Sequence, residues 1–261
     1  MKKKKQTIKR NKIHKQSKKQ RPQSNKQGRK KQASSVAKTK DTKLSAFKPS
    51  YWLFIAVIAI ATLAVYLPAF DNEFVNWDDN GYVIENDAVR TFDLNGLLTE
   101  FHMGNYHPLT MVSLAIDYAF SDVQPPPPDE DYPVVDPTLF IVHNIVLHLL
   151  NTILVFFFVF FLTKFYFEKQ SDKKGLNLQK YNPPLLIAFI TSLLFGIHTL
   201  HVESVAWVSE RKDVLYTFYF LASLISYLWY LKKQKVKYVV FSILLFILSL
   251  FAKGQAVSLA V

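Results

Sequence analysis

Two charged groupings stand at the margins of long apolar runs. One is Asp78-Asp79 within Trp77-Asp-Asp-Asn-Gly-Tyr82, and the other is Arg211-Lys212 within Ser209-Glu-Arg-Lys-Asp213. Adjacent carboxylates near a low-dielectric boundary have displaced pKa values, which suits a general base or a metal ligand. Asp-Asp-Asn-Gly is also strong turn chemistry, and from these residues alone a solvated acidic turn is the better expectation. Arg211 and Lys212 suit a lipid phosphate, with pairing to Glu210 and Asp213 as the competing arrangement. His198, His201 and Glu203 are of the right types for a divalent cation. His-x-x-His lacks the i,i+4 spacing that sets two imidazoles on one helix face, so no metal site is assigned.

Two further groups complete the inventory. His107 lies in Tyr106-His-Pro-Leu-Thr110, ahead of an apolar stretch that ends at Phe120 and contains Asp117. That stretch is too short to span a bilayer and is expected to lie on its surface as a helix. Asn144, His148 and Asn151 fall at i, i+4 and i+7, one stripe of a helix in an apolar segment. Hydrogen bonding between helices is the expected role, with substrate contact second.

The elements that must position these residues are membrane helices. Five apolar runs, residues 51–70, 139–163, 184–197, 214–231 and 238–252, read as spans, and 254–261 begins another apolar run. The first, with 20 residues free of charge, can cross ~30 Å of hydrocarbon as a helix. The expected fold is therefore all-α, a polytopic membrane bundle of five spans and the start of a sixth. The sequence is expected to be the N-terminal part of a longer chain.

Charge orients the spans. Residues 1–48 hold 19 of the 32 Lys/Arg and one acid, whereas the loop 71–138 holds 14 acids and one base, Arg90. The connections 164–180 and 232–237 carry five and four lysines. Both fall on the side of the tail if all five spans are real, as the positive-inside rule requires. This places the N-terminus in the cytoplasm and the acidic loop, with its short surface helices, outside. The tail is too poor in apolar residues to fold and too poor in aromatics for a nucleic-acid partner. It reads as a disordered, lipid-attracted segment ahead of a multi-span domain, 49–261. With no cysteine, thiolate zinc sites, disulfides and cysteine nucleophiles are excluded.

The order of these pieces resembles the membrane region of bacterial relatives of the TMTC-type O-mannosyltransferases, of the GT-C class. The matching segments are Trp77 to Tyr82 with Asn86, His107 to Thr110 with Asp117-Tyr118, Asn144 with His148 and Asn151, and His198 to Leu215. The last of these is long and specific. The resemblance covers roughly residues 51–261. It implies a transferase that moves a sugar from a polyprenyl-phosphate carrier to a protein Ser/Thr hydroxyl on the extracytoplasmic face. Asp78 and Asp79 would be catalytic, reversing the preference for a bland turn. Glu203, Arg211, Lys212, His107 and His201 would bind the lipid phosphate or substrate. The implied partners are membrane lipid, the polyprenyl-phosphate sugar and an acceptor protein in a bacterial inner membrane. A divalent metal stays open, and no other cofactor is implied. Two departures stand out: 125–136 looks like an insertion, and Lys253-Gly-Gln replaces a different pair after the lysine, leaving the role of Lys253 undecided. The rival expectation is a non-catalytic anchor that displays a repeat domain.

Overall fold

The computed structural model describes residues 50–129, 131–174 and 182–260. The expected disordered tail and the end of the basic connection 164–180 lie outside the described residues. The first span, α1 (Tyr51–Tyr66), begins at Ser50, whose hydroxyl accepts from Trp52 N, and runs on through a 3₁₀ turn, Leu67–Asp71. The acidic loop then folds around a π-type turn (Asn80–Ile84) and three short helices, α2 (Asp87–Arg90), α3 (Leu94–Thr99) and α4 (Pro108–Phe120). A two-residue antiparallel ladder pairs β1 (Val123–Gln124) with β2 (Val134–Val135) and closes the proline-rich excursion.

The long helix α5 (Thr138–Lys174) leads toward α6 (Pro183–Ile197), which continues through a 3₁₀ turn into α7 (Val202–Ala206) with a bend of 50°. After a further 3₁₀ turn, Val208–Glu210, come α8 (Arg211–Lys233) and α9 (Val236–Ala252). A closing 3₁₀ segment covers Gly254–Ala260.

Among the described residues three helical stretches are long and apolar enough to cross a membrane, Tyr51–Asp71, Thr138–Gln170 and Val208–Lys233; the bent pair α6–α7 makes up to four. By that measure three of the five expected spans are met whole and a fourth as the bent pair. Helix α9, the expected fifth, has 17 residues, about 25 Å of helix. It runs antiparallel along α8, joined by hydroxyl bonds in register. Ser223 and Ser242 each donate to the other's carbonyl at 2.8 and 2.9 Å, Ser226 donates to Tyr238 O at 2.9 Å, and Ser249 to Tyr216 O at 2.9 Å. Such bonds are a standard way to join helices in lipid, where no water competes.

The expected helix at 108–120 is present and packs one face into the acidic loop's own core. Pro108 starts α4 with the φ a helix requires and no amide proton to satisfy. Met111, Leu114, Ala115 and Tyr118 then form an i, i+3, i+4, i+7 stripe. That stripe packs inward on Tyr82, Val83, Val89, Leu97 and Phe140, forming the main apolar core. This face of α4 meets protein, while Ile116 and Phe120 stay exposed.

A close crossing sets the opposite side of the bundle. A Cβ on Gly196 would lie 2.4 Å from Thr62 Oγ1 and 2.8 Å from Thr152 Cγ2, so α6 approaches α1 and α5 only because that position has no side chain.

Candidate active site

The acidic loop and the bent connection after α6 meet through one carboxylate. Asp79 is fully buried; its Oδ2 accepts from Val75 N at 2.8 Å, and its Oδ1 from Ser209 N at 2.9 Å and from the Ser209 hydroxyl. Burial pushes this carboxyl above its ordinary range, and the hydrogen bonds from Ser209 and Val75 pull it back. Asp79 is therefore a tether, with its lone pairs engaged by protein donors. Asp78, one residue earlier, is half-buried and makes no side-chain hydrogen bond among the described residues.

The charge of Asp78 bears on one of a pair of aromatic rings. Tyr82 and His107 are both buried, with centroids 5.2 Å apart. Burial raises the Tyr82 phenol, and the negative charges of Asp78 and Glu210 raise it further. His107 is lowered to about 4, first by burial and then by the positive Lys212, His102 and Lys253. It is an uncharged imidazole at neutral pH, and its Nε2 has no hydrogen-bond partner.

Four charges complete the cluster. Lys212 Nζ lies 4.9 Å above the Tyr82 ring, 2.9 Å from Glu210 Oε1 and 3.2 Å from Ser209 O. Lys253, just beyond α9, is ion-paired with Asp213 and stands 3.9 Å from Glu210 Oε2. Thr110 on α4 donates to Ala252 O at 2.9 Å and so fixes the backbone that presents Lys253. Lys253, whose role the sequence left undecided, thus belongs to the cluster. Its signal was its place at the end of an apolar run, a position shared by many inert lysines.

Arg211 lies apart from this group. It is 1% exposed and pairs with Asp117, not with Glu210 or Asp213. Its Nε donates to Asn144 Oδ1, Nη1 to Ser113 Oγ at 2.6 Å, and Nη2 to Asp117 Oδ2 and to Phe140 O at 2.8 Å. The guanidinium is engaged on all three nitrogens and holds α4, α5 and α8 together. Asp117 also takes a hydrogen bond with His143 Nδ1.

The polar stripe of α5 reads the backbone of its neighbours. Asn144 donates to Trp207 O at 2.9 Å, His148 Nε2 lies 3.0 Å from Gly196 O, and Asn151 donates to Val214 O at 2.8 Å. The three acceptors lie at the end of α6, just after α7 and in the first turn of α8, so the stripe ties α5 to both sides of the broken connection, where lipid can supply no partner.

The remaining expected residues divide. Glu203 is exposed and outside the cluster, whereas His201 packs against Phe195 and His148, with centroids 4.5 and 5.5 Å away. Among the described residues no three His, Asp or Glu side chains converge in a metal-ligating group. Glu210 and Asp213 are instead paired with lysines. This donor set, with its acids neutralised by lysines, does not fit a metal.

No protein-family profile matches the chain, and no solved structure matches it. It is 27% identical over 193 residues to the human protein O-mannosyl-transferase TMTC4, covering 70% of this chain and 24% of that protein. It is 26% identical over 184 residues to mouse TMTC1, covering 66% of this chain and 16% of that protein. The chain thus spans about a quarter or less of the curated relatives it matches. Apolar helices of spanning length and this likeness together make the chain an integral membrane protein and a distant relative of the TMTC-type protein O-mannosyl-transferases.

Proposed function

We propose that the chain carries the transfer site of a membrane glycosyltransferase of GT-C type. It moves a sugar from a polyprenyl-phosphate carrier to a protein Ser/Thr hydroxyl on the extracytoplasmic face, with the tail and the two basic connections in the cytoplasm. The observation that carries the reading is the joining of two loops: Asp79 bonds Ser209, Lys212 stands 4.9 Å above the Tyr82 ring, and the charge of Asp78 bears on the same phenol.

Asp78 takes the proton from the acceptor hydroxyl as its oxygen bonds to the anomeric carbon. The bond from that carbon to the phosphate oxygen breaks, and polyprenyl phosphate leaves with the electron pair. Lys212 and Lys253 stabilise the charge on the departing phosphate, held in advance by Glu210 and Asp213. The uncharged His107 offers Nε2 to a phosphate oxygen or to the acceptor hydroxyl. Arg211 positions Glu210 and Lys212 from behind. His201 borders the site from below, and Glu203 stays in solvent.

The test is sugar transfer by the full-length protein in proteoliposomes, with polyprenyl-phosphate mannose and an acceptor peptide. Asp78→Asn is expected to lower the rate by about 10²–10⁴, the usual contribution of a positioned general base. Retention of full activity would remove Asp78 as the base, and no transfer by the unaltered protein would leave the chain a membrane anchor.

A further inference from the structure

Helix α4 has two apolar faces, and the loop core accounts for only one of them. Met111, Leu114, Ala115 and Tyr118 are buried in that core. On the opposite face, at i, i+3, i+7 and i+11, stand Leu109, Val112, Ile116 and Phe120. Leu109 and Val112 are half-buried, whereas Ile116 is 41% exposed and Phe120 79%. A helix side that faces water carries polar or charged residues, and this one has none. The loop 71–138 holds 14 acids, yet between Glu100 and Asp122 the one acid is Asp117, which is buried against Arg211. No lysine or arginine falls in that stretch either. The charges of the loop leave this face clear.

The place of α4 in the bundle says what covers the face. Ser113 and Asp117 accept from Arg211, the first residue of α8, and Asp117 also bonds His143 in the second turn of α5. Thr110 donates to Ala252 O at the last residue of α9. These three helix ends lie on one side of the bundle, because α5 and α8 start there and α9 returns antiparallel to α8. Helix α4 therefore lies across the level at which the apolar helices begin. At that level the exposed apolar stripe of α9 finishes with Leu244, Ile247 and Phe251, and that of α5 starts with Val146 and Leu150. The free face of α4 stands at the margin of this lipid-facing surface. With 13 residues, about 20 Å of helix, it is too short to cross a bilayer and suited to lie in its interface.

We propose that the free face of α4 is seated in the interface of the membrane that the bundle spans, with Ile116 and Phe120 inserted between headgroups and upper acyl chains. The attachment is apolar: the face offers no base to an anionic headgroup, so zwitterionic lipid suffices. Because Thr110 holds Ala252 and Arg211 opens α8, the same contact steadies the two helix ends from which Lys253 and Lys212 project. It requires only that the chain be a membrane protein, and holds whether or not the site transfers sugar.

The chain has no cysteine, so Ile116→Cys, Phe120→Cys and, as a water-facing control, Asp129→Cys each create a single labelling position. The full chain carries an environment-sensitive fluorophore there, in phosphatidylcholine nanodiscs, and is exposed to iodide in the water or to a lipid spin-labelled near its headgroup. Relative to the label at 129, labels at 116 and 120 are expected to show a several-fold higher ratio of lipid to iodide quenching, with or without phosphatidylglycerol. Iodide quenching at 116 and 120 equal to that at 129 overturns the proposal and leaves the face in water. Protection from both quenchers also overturns it, giving the face to protein, whether a second copy or a further segment. Lipid quenching that needs phosphatidylglycerol refutes the apolar attachment. Should Ile116→Cys fold poorly, Phe120→Cys decides, since that side chain is the more exposed.

Discussion

Replacing Arg211 with methionine separates two roles for this residue, a ligand for phosphate or a strut within the bundle. In the structure the guanidinium is buried and bonded to Asn144, Ser113, Asp117 and the Phe140 carbonyl. Arg211→Met leaves Asp117, also 1% exposed, as a buried carboxylate whose remaining side-chain partner is His143. Breaking one side of such a pair costs about 3–5 kcal/mol. For a chain of this size that corresponds to a fall in melting temperature on the order of 10 °C. The assay is thermal unfolding of the detergent-solubilised chain, followed by tryptophan fluorescence. The double variant Arg211→Met, Asp117→Leu removes both charges and is expected to recover most of the loss, giving a coupling energy of about 2 kcal/mol or more in the cycle. A single variant within about 2 °C of the unaltered chain would refute the strut, since a ligand-binding arginine can be removed without unfolding the apoprotein.

Other consequences are tested more simply. Gly196→Val should destabilise by at least about 2 kcal/mol, measured by the same melting experiment, because Thr62 Oγ1 and Thr152 stand where the new Cβ must go. Thr110→Val removes the bond to Ala252 O; a stability loss of about 1 kcal/mol is expected, together with a larger relative loss in transfer as Lys253 drifts from Asp213. His107 titrates at about 4 when folded and near 6.5 when unfolded. The unfolded chain therefore binds its proton first as pH falls, and this stability, fully present above 6.5, is lost between about 6.5 and 4 by roughly 3 kcal/mol at most. His107→Gln should flatten the pH dependence of melting across that window, and an unchanged profile would contradict the burial of an uncharged ring.

What could be read without coordinates was what one-dimensional chemistry controls. Uninterrupted apolar runs have no stable alternative to helices in lipid, so the all-α membrane character followed from residues 51–70, 139–163 and 214–231. The stripe of Asn144, His148 and Asn151 followed from helical period, and its packing role held, because polar groups in such a helix must find protein partners. Pairings across long sequence distances were decided only by the tertiary structure. Asp79 and Asp78 are neighbours of the same type, yet one is a buried tether and the other stands half-open. That difference is made by Ser209, 130 positions away. Arg211 had two acids adjacent in sequence, Glu210 and Asp213, and pairs with neither. As the first residue of α8 it points back toward α4 and α5, where Asp117 waits in a site too dry for a lone carboxylate. The same geometry leaves Glu210 and Asp213 to the lysines and brings Lys253 from the end of α9 into their company. Period and hydropathy are properties of a segment, whereas the partner of a buried charge is a property of the three-dimensional packing around it.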